Sequence, residues 1–222
     1  MLKRVVVTGI GALTPIGLNI SSFWNGLSNA VSGAAPITRF DASKFKTHFA
    51  CELKNFKAED YIDRKELRKL DDFSVYALIS TEEAIKDSKL DLDSLDQQRC
   101  GVIWGSGIGG LNTMSKEIES YVLNDKIPRF SPFFIPKMIS DIAAGLLSIK
   151  YGFRGPNFST VSACASSTNA IIEAYHYIKL GKSDVMISGG SEASVNEAAL
   201  GGFNALRALS TRNEDPKTAS RP

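Results

Sequence analysis

The sequence predicts an α/β fold with a mixed, mostly parallel sheet and helices on both faces. Three observations carry this expectation. Short apolar runs alternate with segments at helical spacing, from Val5-Val6-Val7 through Gly101–Gly105 and Phe158–Ala163 to Asp184–Ser188. Each run is apolar along its length instead of alternating, as in parallel strands buried on both faces. The composition is that of an ordinary folded chain, with 222 residues, 43% hydrophobic, 23% charged and a net charge of +2. Such a chain is too apolar for disorder and long enough to enclose a sizeable core.

The elements follow in order. Val5-Val6-Val7 reads as a buried strand entering a tight turn at Thr8-Gly9-Ile10-Gly11. Asn19 or Ser21 caps a short helix through Phe23, Trp24 and Leu27. Residues 40–62 show no firm period and read as loop. Arg64 to Ser88 reads as one long helix, with Leu67, Leu70, Phe73, Ala77, Leu78, Ala84 and Ile85 at helical spacing. The second strand, Gly101–Gly105, leads into the glycine-rich Ser106–Gly110, and a helix follows from Asn112 to Leu123. Pro128–Pro136, with Phe130, Phe133 and Phe134, reads as a rigid apolar loop. Helical spacing resumes from Ile139 to Ile149. Phe158–Ala163 is the third strand, Ser166–Leu180 a helix ended by Gly181, and Asp184–Ser188 the fourth strand. Thr211–Pro222 is polar and carries no stop signal.

Several chemistries are excluded by their missing parts. After Gly9-x-Gly11 the third small residue of a dinucleotide-binding turn is replaced by Thr14 and Pro15, and Gly105–Gly110 lacks the lysine of a phosphate loop. His48 and His176 stand far apart, neither at ligand spacing with cysteine or carboxylate, so no metal site is expected. A charge of +2 supports no nucleic-acid partner, and no apolar run is long enough for a membrane span. Three cysteines form no disulfide framework and point to a reducing, cytoplasmic compartment.

Cys164 stands apart from Cys51 and Cys100. In Val161-Ser-Ala-Cys-Ala-Ser166 a thiol sits where an apolar strand turns into a helix, among residues small enough for a sharp turn. A strand–nucleophile–helix elbow lifts its side chain above the sheet edge, and a helix N-terminus favours negative charge and offers free N–H groups. A small buried cysteine is the competing reading of the same local features. A catalytic thiol also wants a base, and neither histidine is a convincing one.

Taken in order, the motifs resemble the β-ketoacyl-acyl-carrier-protein synthases, condensing enzymes of the thiolase-like fold, and most of all the elongating type II members of bacterial fatty acid synthesis. The resemblance spans the chain: Arg4–Gly17, Gly105-Ser-Gly-Ile-Gly-Gly-Leu111, Ser131-Pro-Phe-Phe-Ile-Pro136, Gly155-Pro156, the Cys164 motif, Asp184–Glu192 and Gly201–Arg212. It implies an acyltransferase in which Cys164 takes an acyl chain as a thioester. Malonyl-carrier protein then loses carbon dioxide and its carbanion lengthens the chain, with no metal or redox cofactor. It also implies that Ile108 gates the acyl pocket and that Phe134 and Phe203 line the cavities, Phe134 reaching across a homodimer interface. Lys65, Arg68, Lys69 and Arg207 would meet the acidic acyl carrier protein. Read without the resemblance, the three apolar residues are core packing and the Arg64–Lys69 run a solvated helix face.

The family's two catalytic histidines, their supporting lysine and the second oxyanion donor belong to a C-terminal half. Residues 1–222 are therefore expected to form the N-terminal half of a thiolase-like domain without its C-terminal half, inactive alone and exposing an apolar face. Other readings stay open: a split enzyme completed by a partner chain, a polyketide-type ketosynthase, or a non-catalytic half that binds carrier protein or dimerises.

Overall fold

The structure is a computed structural model and describes residues 2–220. In chain order the helices are α1 (Ile20–Ser28), α2 (Arg64–Leu67), α3 (Asp72–Ser88), α4 (Leu111–Leu123), α5 (Phe134–Met138), α6 (Ile142–Tyr151), α7 (Ser166–Lys179) and α8 (Glu197–Ala205). The strands are β1 (Ala35–Pro36), β2 (Phe49–Ala50), β3 (Cys100–Gly105), β4 (Asn157–Thr160) and β5 (Val185–Gly190). The chain divides into two compact units, Met1–Gly11 with Ala58–Ala193, and Ala12–Lys57 with Ser194–Pro222.

The first unit is built on a parallel sheet of order β4-β3-β5, as the continuously apolar strands predict. β3 is buried at every residue, and its alternate side chains serve two different layers. Cys100, Val102 and Trp104 join Phe73, Ala77 and Leu78 of α3 and Ala143, Ala144 and Leu147 of α6 in the larger core. Ile103 points the other way, onto Ala170 and Ala174 of α7. The expected helix-covered parallel sheet is thus present, with α6 and α3 on one face and α7 on the other.

α7 lies so close that the sheet beneath its first turn carries no side chain. A Cβ on Gly105 would stand 2.4 Å from the Ser166 carbonyl carbon, and one on Gly190 would stand 2.0 Å from Ser167 Oγ. Gly105 and Gly190 are paired neighbours at the ends of β3 and β5. The two glycines therefore let α7 settle onto the strand ends.

Elsewhere in this unit the structure corrects the expectations. Val5–Val7 is not a strand: Val6 is 62% exposed and Val7 79%. β-branched residues favour a strand only where a neighbour takes up their backbone groups. The bonds here are Lys3 N–H to the Lys179 carbonyl and Ile10 N–H to the Asp87 carboxylate, not a ladder. Arg64–Ser88 is two helices, broken at Arg68–Asp71. Asp71 is extended, is 3% exposed and caps α3 through Phe73 N–H, which starts a new helix in the middle of a periodic apolar pattern. Its carboxylate also accepts from Thr113 N–H (2.9 Å) and Thr113 Oγ1 (2.6 Å), joining the starts of α3 and α4. Burial pushes the Asp71 pKa up, opposed by those Thr113 bonds. The 128–136 loop already contains the start of α5, and the third strand ends at Thr160.

In the second unit Asn19 caps α1 as expected, in a reciprocal capping box with Ser22. Trp24 and Leu27 are exposed on that helix. β2 lies within the 40–62 segment that reads as loop and pairs antiparallel with β1, which precedes that segment. α8 starts at Asn196, whose side chain accepts from Ala199 N–H. Asn204 of α8 holds the 46–47 backbone through its Oδ1, at 2.8 Å from Lys46 N and 3.1 Å from Thr47 N. The polar tail contains a 3-10 turn at Pro216–Thr218, and Arg221 and Pro222 lie outside the described residues. No helix among the described residues is long and apolar enough to cross a membrane.

Candidate active site

Cys164 is exposed and sits in a 3-10 turn, Ala163–Ala165, between β4 and α7. Ala163 has φ of +51°, a left-handed conformation that costs an alanine roughly 1–2 kcal/mol. The turn is held in place by hydroxyls. Ser166, 3% exposed, accepts from Ser162 N–H (2.9 Å) and donates to the Ala163 carbonyl (2.7 Å). Thr160 Oγ1 donates to the Ser166 carbonyl at 2.8 Å, and Asn169 Nδ2 donates to Ser162 Oγ at 2.6 Å. These bonds over-determine a strained elbow, the condition under which such strain persists at functional sites.

Parallel strands bring three loops to one edge of the sheet. Gly105 is in register with Thr160 on one side and Gly190 on the other. The segments beyond them carry Ile108, Cys164 and Glu192, so the carboxyl ends of the strands gather the site, as in other open parallel sheets. Ile108 is 43% exposed. Its loop lies against the Cys164 turn, because a Cβ on Gly107 would stand 3.3 Å from the Ala163 carbonyl oxygen. On its far side the loop leans on α5, where Gly110 N–H donates to the Met138 carbonyl at 2.9 Å. Phe134 opens that helix, half-buried and stacked on Phe130 with centroids 5.6 Å apart.

The remaining predicted residues are placed as follows. Lys65 lies in α2; Arg68 and Lys69 follow it; all three are exposed. Lys69 pairs with Glu66 at 2.8 Å, and Lys137 Nζ donates to the Arg68 carbonyl at 3.4 Å. Phe203, on α8, and Arg207, just beyond it at φ +56°, are exposed and belong to the second unit.

Neither histidine serves the thiol. His176 lies twelve residues beyond Cys164 on α7, roughly 18 Å along the axis at ~1.5 Å per residue. The His48 ring, in the second unit, is engaged by the Phe45 carbonyl oxygen at 2.8 Å. Among the described residues no group of three or more His, Cys, Asp or Glu could hold a metal ion.

Sequence reasoning assigned no role to Ser166 or to Glu192. Ser166 looks like any small residue of a helix start. An acidic residue directly beyond the Gly189-Gly190 strand end was the available signal for Glu192. Its function depends on β5 lying beside β3, which no local pattern states.

Comparison with known proteins agrees with this geometry. The pattern of the family described as "Beta-ketoacyl synthase, N-terminal domain" matches residues 2–222. The chain is 49% identical over 221 residues to a 3-oxoacyl-[acyl-carrier-protein] synthase 2 of Staphylococcus aureus (strain COL), covering 99% of this chain and 53% of that protein. A protein of the same name from Synechocystis is 46% identical, again over 99% of this chain and 53% of its own length. The chain thus spans about half the length of these relatives. Among solved structures, a β-ketoacyl synthase from Burkholderia phymatum STM815 superposes with a TM-score of 0.87 at 28% identity, over all of this chain and 54% of that one. A type II PKS acyl-carrier protein in complex with its ketosynthase bound to the hexaketide matches with a TM-score of 0.80 at 27% identity, over 93% of this chain and 55% of that one. The fold is the α/β thiolase-like half expected from the motifs. The Cys164 turn, the sheet and the whole-chain match lead to one conclusion: the chain belongs to the β-ketoacyl synthase family, as its N-terminal domain.

Proposed function

We propose that the chain is the nucleophile-bearing half of a 3-oxoacyl-[acyl-carrier-protein] synthase that elongates fatty acids. The observation that carries this reading is the exposed Cys164 thiol on a strained, hydroxyl-braced elbow at the start of α7. In this mechanism Cys164 Sγ attacks the thioester carbonyl of an acyl chain delivered by carrier protein. The carrier's thiol departs with a proton and the acyl group remains on Cys164. The helix N-terminus stabilises negative charge, and the Cys164 N–H supplies one donor to the oxyanion of the tetrahedral intermediate. Malonyl-carrier protein then releases carbon dioxide, and its carbanion attacks the Cys164 thioester to give the 3-oxoacyl product. Ile108 bounds the acyl pocket at the loop beside the elbow, with Phe134 as further lining; Phe203, in the second unit, keeps the lining role that the family resemblance gives it.

Decarboxylation needs the family's histidines, and the two in this chain are turned to other contacts. Residues 1–222 alone therefore load an acyl group at most and do not elongate. Carrier protein is the partner, a reading supported by the carrier-bound ketosynthase among the structural relatives; Lys65, Arg68 and Lys69, and in the second unit Arg207, are the basic residues proposed to meet it. The complete enzyme is a cytoplasmic homodimer. The exposed Met114, Ile118 and Val122, four residues apart along α4, offer an apolar stripe beside α5 for such an interface.

The test is acyl loading followed by intact mass. Incubation of the complete protein with acyl-carrier protein should add one acyl group that is removed at thioester-cleaving hydroxylamine concentrations and is absent in Cys164→Ala. Loading retained by Cys164→Ala would overturn the assignment. A polyketide-type ketosynthase would instead prefer a poly-β-keto chain over a saturated one in the same assay.

A further inference from the structure

Beyond the end of β5 the chain turns so that the Glu192 carboxylate lies over the end of β3. Its Oε2 accepts two consecutive backbone amides, Gly107 N–H at 2.8 Å and Ile108 N–H at 3.0 Å. Two successive amides converging on one anionic oxygen form a nest, here filled by the protein's own side chain. The other loop amides are secured differently. Gly109 N–H donates to Ser106 Oγ (3.1 Å), which is buried, and Gly110 N–H donates to the Met138 backbone. Only the pair that fixes Ile108 depends on an exposed side chain. The same stretch backs onto the Cys164 turn, since a Cβ on Gly107 would stand tightly between Glu192 Oε2 at 3.0 Å and the Ala163 carbonyl at 3.3 Å.

We propose that Glu192 is a positioning residue for Ile108: by clamping the Gly107 and Ile108 amides beside the Cys164 elbow, it sets which acyl lengths the site admits. The proposal rests on the synthase reading for its functional half, whereas the clamp itself is a statement about the loop. Glu192 touches no reacting atom. Release of its carboxylate frees two amides and lets the Ile108 side chain swing, while the buried Ser106 and the α5 contacts keep the rest of the loop in place.

The complete protein, Glu192→Ala and Glu192→Gln would be compared by three readouts. The first is amide hydrogen exchange at Gly107 and Ile108. The second is the ratio of Cys164 loading rates with a fourteen-carbon and a six-carbon acyl-carrier protein. The third is the iodoacetamide rate at Cys164. Glu192→Ala should speed exchange about tenfold at those two amides and raise the long-to-short ratio roughly fivefold, by loss of charge-assisted bonds from a partly solvated carboxylate. Its iodoacetamide rate should stay within about twofold, because the elbow's own hydroxyl bonds are intact. Glu192→Gln keeps an acceptor oxygen and should restore most of both effects, which excludes a merely unfolded loop. Unchanged exchange in Glu192→Ala would overturn the clamp, and faster exchange with an unchanged length ratio would overturn the gating role. If the unsubstituted protein loads no acyl group, the synthase reading is what fails, and exchange alone still decides whether Glu192 holds Ile108.

Discussion

Replacing Gly105 by alanine tests the link between the sheet and the Cys164 turn most directly. The added Cβ would lie 2.4, 2.5 and 2.6 Å from the Ser166 carbonyl carbon, the Ser166 oxygen and the Ser167 nitrogen. All three are backbone atoms of the first turn of α7, so no side chain can rotate away. Reaching an ordinary contact near 3.4 Å requires a shift of about 1 Å between β3 and the helix. Overpacking of this kind costs about 1–3 kcal/mol, and backbone-to-backbone contact puts this site at the upper end, ~3 kcal/mol. For a chain of this size that is roughly a 6–12 °C drop in Tm. The same displacement moves Cys164, and a misplacement near 1 Å can slow a positioned reaction by about a hundredfold. Urea melts and acyl-loading rates on the complete protein measure both effects. Gly145→Ala is the control: no atom lies within 4 Å of its Cβ in α6, and it should stabilise by up to ~1 kcal/mol. Equal urea midpoints and loading rates for Gly105→Ala and the unsubstituted protein would refute the argument that α7 rests on bare strand ends.

Asp71→Ala removes the α3 cap and leaves the Thr113 N–H and hydroxyl without their acceptor, a loss of about 3 kcal/mol. Asp71→Asn should cost less, about 1–2 kcal/mol: it removes a charge that burial disfavours, but its single oxygen can serve only one of the Phe73 and Thr113 sides. Chemical denaturation of both variants checks the difference. Glu82 is held down from 4.5 to about 2 by its hydrogen bonds to Lys150 and Lys86, the first of which ties α3 to α6. A depressed carboxyl stabilises the fold above its unfolded pKa, so its contribution is complete above pH 4.5 and is lost as pH falls toward 2. At 42% exposure of the Glu82 side chain that contribution is at most ~1 kcal/mol. Glu82→Gln should flatten stability across this window while leaving the neutral-pH Tm within about 4 °C. Iodoacetamide should modify Cys164 first, Cys51 more slowly and Cys100 last. Cys51 is exposed but lacks a helix N-terminus, and burial pushes the Cys100 thiol pKa up. Peptide mapping gives the order, and prior modification of Cys100 would contradict it.

The strands β3, β4 and β5, the helices α4, α6 and α7 and the elbow at Cys164 could be read from the chain because their signals are local. Continuous apolarity marks β3 whatever lies around it, and small residues about a cysteine mark a sharp strand-to-helix turn wherever it sits. The Val5–Val7 run failed for the opposite reason. A strand is completed by its neighbour's hydrogen bonds, and propensity alone cannot supply them. Arg64–Ser88 failed because a buried aspartate can cap a helix only where a partner such as Thr113 arrives from forty residues away. The sequence by itself determined the fold class and the family, and it singled out Cys164 as the proposed nucleophile. Only the tertiary structure decided what Ser166 and Glu192 do, since each acts through backbone groups brought to it by chain reversal: the left-handed turn at Ala163 for one, and the end of a neighbouring strand for the other. Side-chain identity is written in order along the chain, whereas hydrogen-bond partnership across a sheet edge exists only after the sheet has formed.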